Sequence, residues 1–430
     1  MLRFLPSRCV FVGSVACSLL MACGSSSSSS TGSGSGSTAT GGFGSLSGTT
    51  STTVTPEIAA FSHLTNALPV YVTVDGASAW AFVDTGNPWV VLDPTAFPGV
   101  ASLPTDGADV PTLDVGGTTV NEVYVIASAA ADINNEPPFT LEGNLGCTVV
   151  CAYAASFNYR DALFSLNATA PPSGLGADTA LDFELAGGAT EEGVPSQPSR
   201  IIVAVTIEGH DYTMMVDTGA TSIVVSQSVY STLTADGRTQ LNGGTVETTS
   251  GTSSSSTTRV ASVVVGGVGG VGGVEVDNVV VAHDTSFDSN LANVSDDAGE
   301  TIDGSLGGTF LHNFYVTVDY PNKKLHLAPY TDLTFAIDPA ELIGITLGTL
   351  AGGGYGVATV STDASAVGVE VDDEIVAIDG ETLSSLSVYE VAALLYGQVG
   401  ATKQVTFGDA ATLSNQTITL PVENQLPLNP

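Results

Sequence analysis

Short apolar runs rich in Val and Ile alternate with glycine-bearing turns from residue 57 onward. Residues 72–76 read Val-Thr-Val-Asp-Gly, and residues 205–209 read Val-Thr-Ile-Glu-Gly. Runs of β-branched residues bounded by such turns are typical of strands rather than of long helices. The pattern therefore predicts a mainly β protein.

The same four-residue motif follows each of these two segments. Val-Asp-Thr-Gly occurs at residues 83–86 and again at 216–219, so that Asp84 and Asp217 each lie eight residues after the glycine of the preceding turn. An apolar segment continues from each motif. A short motif can recur by chance, but the residues on both sides of it also match. The two copies therefore correspond to each other.

Two further landmarks recur in the same order downstream. Val-Gly-Gly occurs at 115–117 and 265–267, and a Leu-Gly segment ends at Gly146 in one copy and at Gly307 in the other. Landmarks repeated in order indicate a duplicated β unit. We expect two lobes, residues 57–190 and 196–335.

The two copies differ in length between the Asp motif and Val-Gly-Gly. Asp84 to Gly116 spans 32 residues, whereas Asp217 to Gly266 spans 49. The extra residues are rich in Gly, Ser and Thr, which predicts a hairpin with a small tip at about Gly243 to Val260. We expect this hairpin to be a flap that only the second lobe provides.

The pattern changes again after residue 340. Apolar residues at Val388, Val391, Ala392 and Leu395 have helical spacing, and Ser387 precedes them as a candidate N-cap. We expect a third unit at residues 340–422.

The N-terminus predicts export. Residues 1–22 combine Arg3 and Arg8 with a short apolar run, as in a signal peptide. The run ends in Leu-Met-Ala before Cys23, which resembles the lipobox of bacterial lipoproteins. That resemblance implies lipidation of Cys23 and, because Gly24 is not Asp, an outer-membrane location in the cell envelope. A plain signal peptide that is cleaved nearby is the alternative.

Composition adds three expectations. The Ser/Gly/Thr-rich residues 23–56 cannot bury apolar surface, which predicts a flexible tether. A formal charge of −35 argues against nucleic-acid binding. Cys147 and Cys151 are close together in a chain predicted to be exported, which favours a local disulfide over a metal site.

The paired motifs resemble those of pepsin-like and retropepsin-like aspartic peptidases. The resemblance covers about residues 65–330 and implies a two-lobed acid protease fold with Asp84 and Asp217 as the catalytic pair. It also implies that Thr85 and Thr218 hydrogen-bond across the lobe interface. Gly86 and Gly219 let the two backbones approach closely.

Two carboxylates at such a distance share one proton, for which aspartic proteases are the standard example. The ionised group activates a water, and the protonated group hydrogen-bonds the substrate carbonyl. This chemistry requires no metal and no cofactor. Asn87 departs from the family pattern, which usually has Ser or Ala there, and an asparagine can still donate toward Asp84.

Residues 340–422 resemble a PDZ domain. Gly354, Tyr355, Gly356 and Val357 match its carboxylate-binding loop, whose backbone N–H groups would capture a peptide C-terminus. Asp372 stands at a position where PDZ domains usually have Gly. The resemblance implies that this unit recruits peptide tails or gates the peptidase.

Two functions remain open at this point. The first is an aspartic endopeptidase that acts on proteins or peptides and is monomeric, because one chain carries both motifs. The second is an inactive peptidase fold that binds peptides as an envelope lipoprotein. A single Asp-Thr-Gly is most often a simple turn, and the matched pair argues against that interpretation.

Overall fold

The computed structural model describes residues 54–104, 107–128, 140–168, 171–187, 190–191, 194–195, 198–248, 251–266, 273–350, 353–408 and 415–428. Within these ranges, no helix is long and apolar enough to cross a membrane. The predicted signal peptide, Cys23 and nearly all of the predicted tether lie outside the described residues. Strands dominate the described chain, which confirms the prediction of a mainly β protein.

The described chain opens with a helix, α1 (Pro56–Thr65), where the sequence predicted the end of the tether and the start of the first β lobe. The Thr55 side chain accepts the N–H of Ile58, and Pro56 occupies the first turn, where its missing N–H costs nothing. Asn66 ends the helix in the left-handed conformation, with φ of 57°.

The first half of the chain then forms mostly short strands. Its remaining elements are β1 (Pro69–Val74), β2 (Ala77–Val83), β3 (Val90–Leu92), a 3-10 helix (Pro98–Val100), β4 (Ala108–Val115), β5 (Thr118–Ala127), β6 (Leu141–Leu145), α2 (Cys147–Val150), β7 (Ala154–Asn158), β8 (Leu163–Leu166), β9 (Thr179–Asp182), β10 (Glu184–Ala186), β11 (Thr190–Glu191) and β12 (Val194–Pro195).

The second half continues the strand-rich pattern. Its elements are β13 (Arg200–Ile207), β14 (His210–Val216), β15 (Ile223–Val225), α3 (Gln227–Leu233), β16 (Gln240–Thr248), β17 (Gly251–Val265), β18 (Val274–Asp284), α4 (Phe287–Ala298), β19 (Gly304–Leu306), α5 (Gly308–Leu311), β20 (Phe314–Asp319) and β21 (Lys324–Pro329).

The two halves repeat one strand arrangement. In the first half, β1-β2-β6-β3-β5-β4 form a closed barrel, in which β6 runs parallel to β2 and antiparallel to β3. In the second half, β19 likewise lies between β14, parallel, and β15, antiparallel. The strand that carries Leu-Gly therefore lies beside the strand that ends at the Val-Asp-Thr-Gly motif in both halves.

The hairpins that lead into the two motifs have the same turn. Asp75 and Gly76 connect β1 to β2 with φ of 49° and 81°, and Glu208 and Gly209 connect β13 to β14 with φ of 49° and 82°. Two positive φ values in a two-residue loop are typical of the type I′ turn, which suits the twist of a hairpin. The turn sets the register of β2 and β14 and hence the position of each Asp.

A five-stranded sheet joins the two halves. Its order is β8-β7-β20-β21-β9, and β7 from the first half pairs with β20 from the second. One hydrophobic core extends from the barrel through this sheet into the second half; it includes Val83, Phe157, Val216 and Leu327. Because the core is continuous, the two lobes are held against each other by burial as well as by backbone pairing.

The second half carries a long hairpin that the first half lacks in its described residues. β16 pairs with β17 from Gln240↔Thr258 to Thr248↔Gly251. β18 pairs with β17 only from Ser255 onward, so the hairpin extends beyond the neighbouring strand. In the first half, the described residues between β3 and β4 contain only the short 3-10 helix.

The C-terminal unit contains a six-stranded sheet, a two-stranded sheet and two α-helices. Its elements are β22 (Glu341–Leu342), β23 (Ile345–Thr349), β24 (Tyr355–Val360), α6 (Thr362–Ala366), β25 (Glu374–Ile378), β26 (Glu381–Thr382), a 3-10 helix (Leu383–Ser385), α7 (Val388–Leu394), β27 (Thr402–Phe407), β28 (Thr417–Pro421) and β29 (Glu423–Asn424).

This unit shares a core with the N-terminal residues. Phe61 of α1 contacts Tyr389 of α7 edge to face, with ring centroids 5.1 Å apart, and Phe82 and Leu141 belong to the same cluster. A buried arginine makes a second connection: Arg259 on β17 pairs with Asp338 at 2.8 Å and donates to the backbone oxygen of Leu426 at 2.9 Å. The C-terminal unit is therefore packed against both lobes.

Candidate active site

Asp84 and Asp217 occupy equivalent positions just after β2 and β14. The N–H of Asp84 donates to the backbone oxygen of Leu145 at 3.1 Å, and that of Asp217 donates to Leu306 at 3.1 Å. Each Asp is thus held by the neighbouring Leu-Gly strand of its own half. The described residues bring both predicted aspartates into one site, with their carboxyl groups within hydrogen-bonding reach.

Four hydrogen bonds between the halves fix the two aspartates relative to each other. The N–H of Thr85 donates to Thr218 Oγ1 at 3.1 Å, and the N–H of Thr218 donates to Thr85 Oγ1 at 3.1 Å. Each hydroxyl then donates to the strand of the other half, Thr85 Oγ1 to Val216 O and Thr218 Oγ1 to Val83 O, both at 2.9 Å. Both threonines are buried, so these bonds are shielded from competition with water.

Glycine follows each threonine because the opposite aspartate leaves no room for a side chain. A Cβ atom on Gly86 would lie 2.8 Å from Asp217 Cγ, and one on Gly219 would lie 2.6 Å from Asp84 Cγ. Both distances are far inside van der Waals contact. An alanine at either position would push the two carboxyl groups apart.

The two carboxylates are almost completely buried but have different hydrogen-bond partners. Asp84 is 2% exposed and Asp217 is 0% exposed. Asp84 Oδ1 accepts the N–H of Gly86 at 2.8 Å, and its Oδ2 accepts the Nδ2 of Asn144 at 2.7 Å. Asp217 Oδ1 accepts two backbone N–H groups, from Gly219 at 2.9 Å and Ala220 at 3.1 Å.

The remaining oxygen, Asp217 Oδ2, is buried and has no donor among the described residues. Two ionised carboxylates are both acceptors, so a hydrogen bond between Asp84 and Asp217 exists only if the pair holds a proton. Burial raises the pKa of Asp217 well above its usual range, and the nearby charge of Asp84 raises it further. Burial also raises the pKa of Asp84, and the Asn144 hydrogen bond opposes that rise. The site therefore favours one shared proton, which leaves one base and one acid.

Two buried tyrosines lie near the pair. Burial raises the pKa of Tyr159, with a smaller contribution from Tyr330 and then Asp217, and burial followed by the charge of Asp84 raises the pKa of Tyr320. Both hydroxyl groups are buried and have no partner among the described residues. Both tyrosines are therefore neutral phenols that add no charge to the site.

Asn87 contacts both a local turn and Asp84. Its Oδ1 accepts the N–H of Trp89 at 3.0 Å in a local turn, and its backbone N–H contributes to lowering the pKa of Asp84. The side-chain amide that donates to Asp84 at 2.7 Å is that of Asn144, which sequence reasoning missed. The sequence feature that could have identified Asn144 is a polar residue directly before Leu-Gly, in a segment that is mostly buried.

The other predicted site residues lie elsewhere. The sulfur atoms of Cys147 and Cys151 are bonded at 1.97 Å across α2. Gly354 to Val357 lie at the start of β24 in the C-terminal unit. Among the described residues, no group of three or more His, Cys, Asp or Glu side chains could hold a metal ion.

His312 is one residue whose type suggests chemistry but whose environment does not. Its Nδ1 lies 2.8 Å from Asn66 Oδ1, and burial lowers its pKa to about 4. Asn66 Nδ2 donates in turn to the backbone oxygen of Thr221 at 3.0 Å. A neutral His312 thus helps attach the end of α1 to the second half.

Comparison with known proteins supports a peptidase. Residues 203–289 match the model of the family described as "gag-polyprotein putative aspartyl protease", and this segment contains the second motif with Asp217. No curated protein matches the chain. The match covers part of the second half only, and the first motif lies outside it.

Two solved structures are among those that match this chain. The aspartic proteinase from Irpex lacteus is 16% identical, over 62% of this chain and 94% of that chain, with a TM-score of 0.38. A photosystem II D1 C-terminal processing protease is 25% identical over 21% of this chain and 24% of that chain, with a TM-score of 0.19. At these TM-scores neither likeness decides the fold.

We predict that Asp217→Asn gains stability relative to the wild type as the pH rises. Folded Asp217 keeps its proton to a higher pH than unfolded Asp217, so the folded wild type binds more protons over that range and loses stability through it. An asparagine has no proton to lose. The expected gain is about 1.4 kcal/mol for each pH unit over which the proton is retained.

Urea unfolding of both proteins at pH 3 and at pH 7 measures this difference. The variant should be relatively more stable at pH 7 than at pH 3. Asp277→Asn, an exposed position on β18, is the matched control and should show the same small effect at both pH values. An Asp217→Asn effect that is independent of pH would contradict the shared-proton description.

Proposed function

We propose that this chain is an aspartic endopeptidase whose catalytic pair is Asp84 and Asp217. The observation that carries the proposal is the buried carboxyl pair held across two lobes by the Thr85 and Thr218 hydrogen bonds. The family match over residues 203–289 supports the same class of activity.

The mechanism follows from one proton shared by two carboxyl groups. The ionised member accepts a proton from a bound water, which attacks the carbonyl carbon of the scissile peptide bond. The protonated member donates to the carbonyl oxygen as negative charge develops there. Collapse of the tetrahedral intermediate transfers a proton to the leaving nitrogen and releases two peptides. Thr85, Gly86, Thr218 and Gly219 keep the pair in place and do not react.

The β16–β17 hairpin is our candidate for the flap that covers the substrate. Its support is its position in the chain, between the second motif and Val-Gly-Gly, and its extension beyond β18. Arg259 lies on the same strand as the hairpin and is tied to Asp338 and Leu426. We propose that this contact couples the flap to the C-terminal unit.

We further propose that the C-terminal unit is PDZ-like and recruits peptide C-termini. Tyr355 of the candidate loop donates its hydroxyl to Leu386 O at 2.7 Å, next to the start of α7. Ser387 and Glu390 form a reciprocal capping box on α7, as the sequence predicted for the N-cap. Asp372 has a φ of 71°. Glycine adopts positive φ values most readily, which explains why PDZ domains usually have Gly at this position.

The substrates that we propose are proteins or peptides of the cell envelope. This proposal depends on the predicted signal peptide and on lipidation of Cys23, which would hold the enzyme at the membrane through the tether of residues 23–56. An acidic chain attached in this way would meet unfolded or damaged envelope proteins. The alternative is a peptide-binding lipoprotein with the same fold and no turnover.

We predict that the purified chain cleaves an unfolded protein with an acidic pH optimum. Asp84→Asn should reduce the rate on the order of 10³-fold or more, because the remaining carboxyl cannot act as both acid and base. Asp211→Asn makes the same chemical change at an exposed position on β14 and should retain activity. Cleavage that survives Asp84→Asn would reject Asp84 as a catalytic residue, and no cleavage by folded wild type would favour the alternative.

The tail-recruiting role has a separate test on the full chain. A fluorescent peptide with a free C-terminal carboxylate should bind at least about tenfold more tightly than the same peptide ending in a carboxamide, because a carboxylate-binding loop uses backbone N–H groups. Asp84→Asn prevents cleavage during the measurement. Equal affinity for the two peptides would show that Gly354 to Val357 do not capture a chain terminus.

A further inference from the structure

The two halves differ in the side chain that their Leu-Gly strands place beside the catalytic aspartate. Asn144 on β6 pairs with Phe82 and Val91, and its Nδ2 donates to Asp84 Oδ2 at 2.7 Å. Asn144 is 0% exposed. The reverse amide orientation would place Oδ1 against a carboxylate oxygen, so the donor assignment follows from the chemistry of the contact.

Ser305 is the residue of the second half that corresponds to Asn144. It lies on β19 between Met215 and Val224, as Asn144 lies between Phe82 and Val91. The Ser305 hydroxyl is buried and has no partner among the described residues, and Asp217 Oδ2 likewise has none. Serine is shorter than asparagine, so the second half does not supply the donor that the first half supplies.

We propose that Asn144 is a positioning residue that keeps Asp84 ionised and leaves Asp217 to carry the shared proton. In the proposed peptidase reaction, Asp84 is then the general base for the water and Asp217 the acid toward the carbonyl oxygen. The inference rests on the proposed function for these roles, but the proton distribution itself follows from the contacts.

The physical reason is that a hydrogen bond to a charged group favours the charged form. Asp84 accepts side-chain and backbone donors on both oxygens, whereas Asp217 accepts donors on Oδ1 alone. Burial is the main cause of the raised pKa of the two nearby tyrosines, with smaller contributions that include Asp217 at Tyr159 and Asp84 at Tyr320, so both phenols are neutral. Neither phenol adds charge to the pair, so the amide of Asn144 is the main difference between the two carboxyl environments.

The test exchanges the two residues. Asn144→Ser gives the first half the side chain of the second, Ser305→Asn does the reverse, and the double variant exchanges both. The first readout is the pH profile of kcat/KM for an unfolded protein. The second is the titration of ¹³C-labelled aspartate carboxyl groups by NMR, with the two resonances assigned from Asp84→Asn and Asp217→Asn.

Asn144→Ser should raise the lower apparent pKa of the pair, and with it the acidic limb of the profile, by about one pH unit. Ser305→Asn should lower the upper apparent pKa by a similar amount. In the double variant, the carboxyl that ionises first should be Asp217 instead of Asp84. A purely structural role for Asn144 would change stability or kcat without moving either limb.

The outcomes separate this inference from the proposed function. If the folded wild type cleaves nothing, the carboxyl titration alone decides the inference. If cleavage depends on both aspartates but Asn144→Ser leaves the acidic limb and the titration of Asp84 unchanged, the inference is wrong and the proposed function stands. If Asn144→Ser does not fold, Ser305→Asn decides, and an unchanged upper pKa would overturn the inference.

Discussion

The candidate site depends on the four hydrogen bonds that Thr85 and Thr218 make between the two halves of the chain. Each threonine uses its backbone N–H and its hydroxyl to reach the other half of the chain. Breaking one bond leaves a buried donor or acceptor unpaired, which costs about 1–3 kcal/mol for each group. These bonds therefore fix the relative position of the two aspartates, because the loss of any one of them destabilises the fold.

This constraint explains why the surrounding residues have so little freedom. Gly86 and Gly219 face the opposite aspartate at distances that exclude a side chain. The Leu-Gly strands hold the backbone of each aspartate and leave one side-chain position beside each carboxyl group. Asn144 and Ser305 occupy these positions, and they are the point at which a nearly symmetric site becomes chemically asymmetric.

Much of this arrangement could be predicted because it is local or repeated. The type I′ turns, the two motifs, the long second-half hairpin and the N-cap of α7 all leave signals within a few residues of one another. Contacts between distant parts of the chain leave no such signal. The Asn144–Asp84 bond, the Asn66 contacts with Thr221 and His312, and the packing of Phe82 with the C-terminal unit depend on how the strands are arranged in space.

The central claim is that Asp84 and Asp217 act as one catalytic unit. The rate of hydrolysis of an unfolded protein at acidic pH, measured for Asp84→Asn, Asp217→Asn and the double variant, tests it most directly. Two residues that act as a unit are non-additive, so each single variant should fall to the same low rate and the double variant no further. Single variants that retain most of the activity, or losses that multiply in the double variant, would contradict the account.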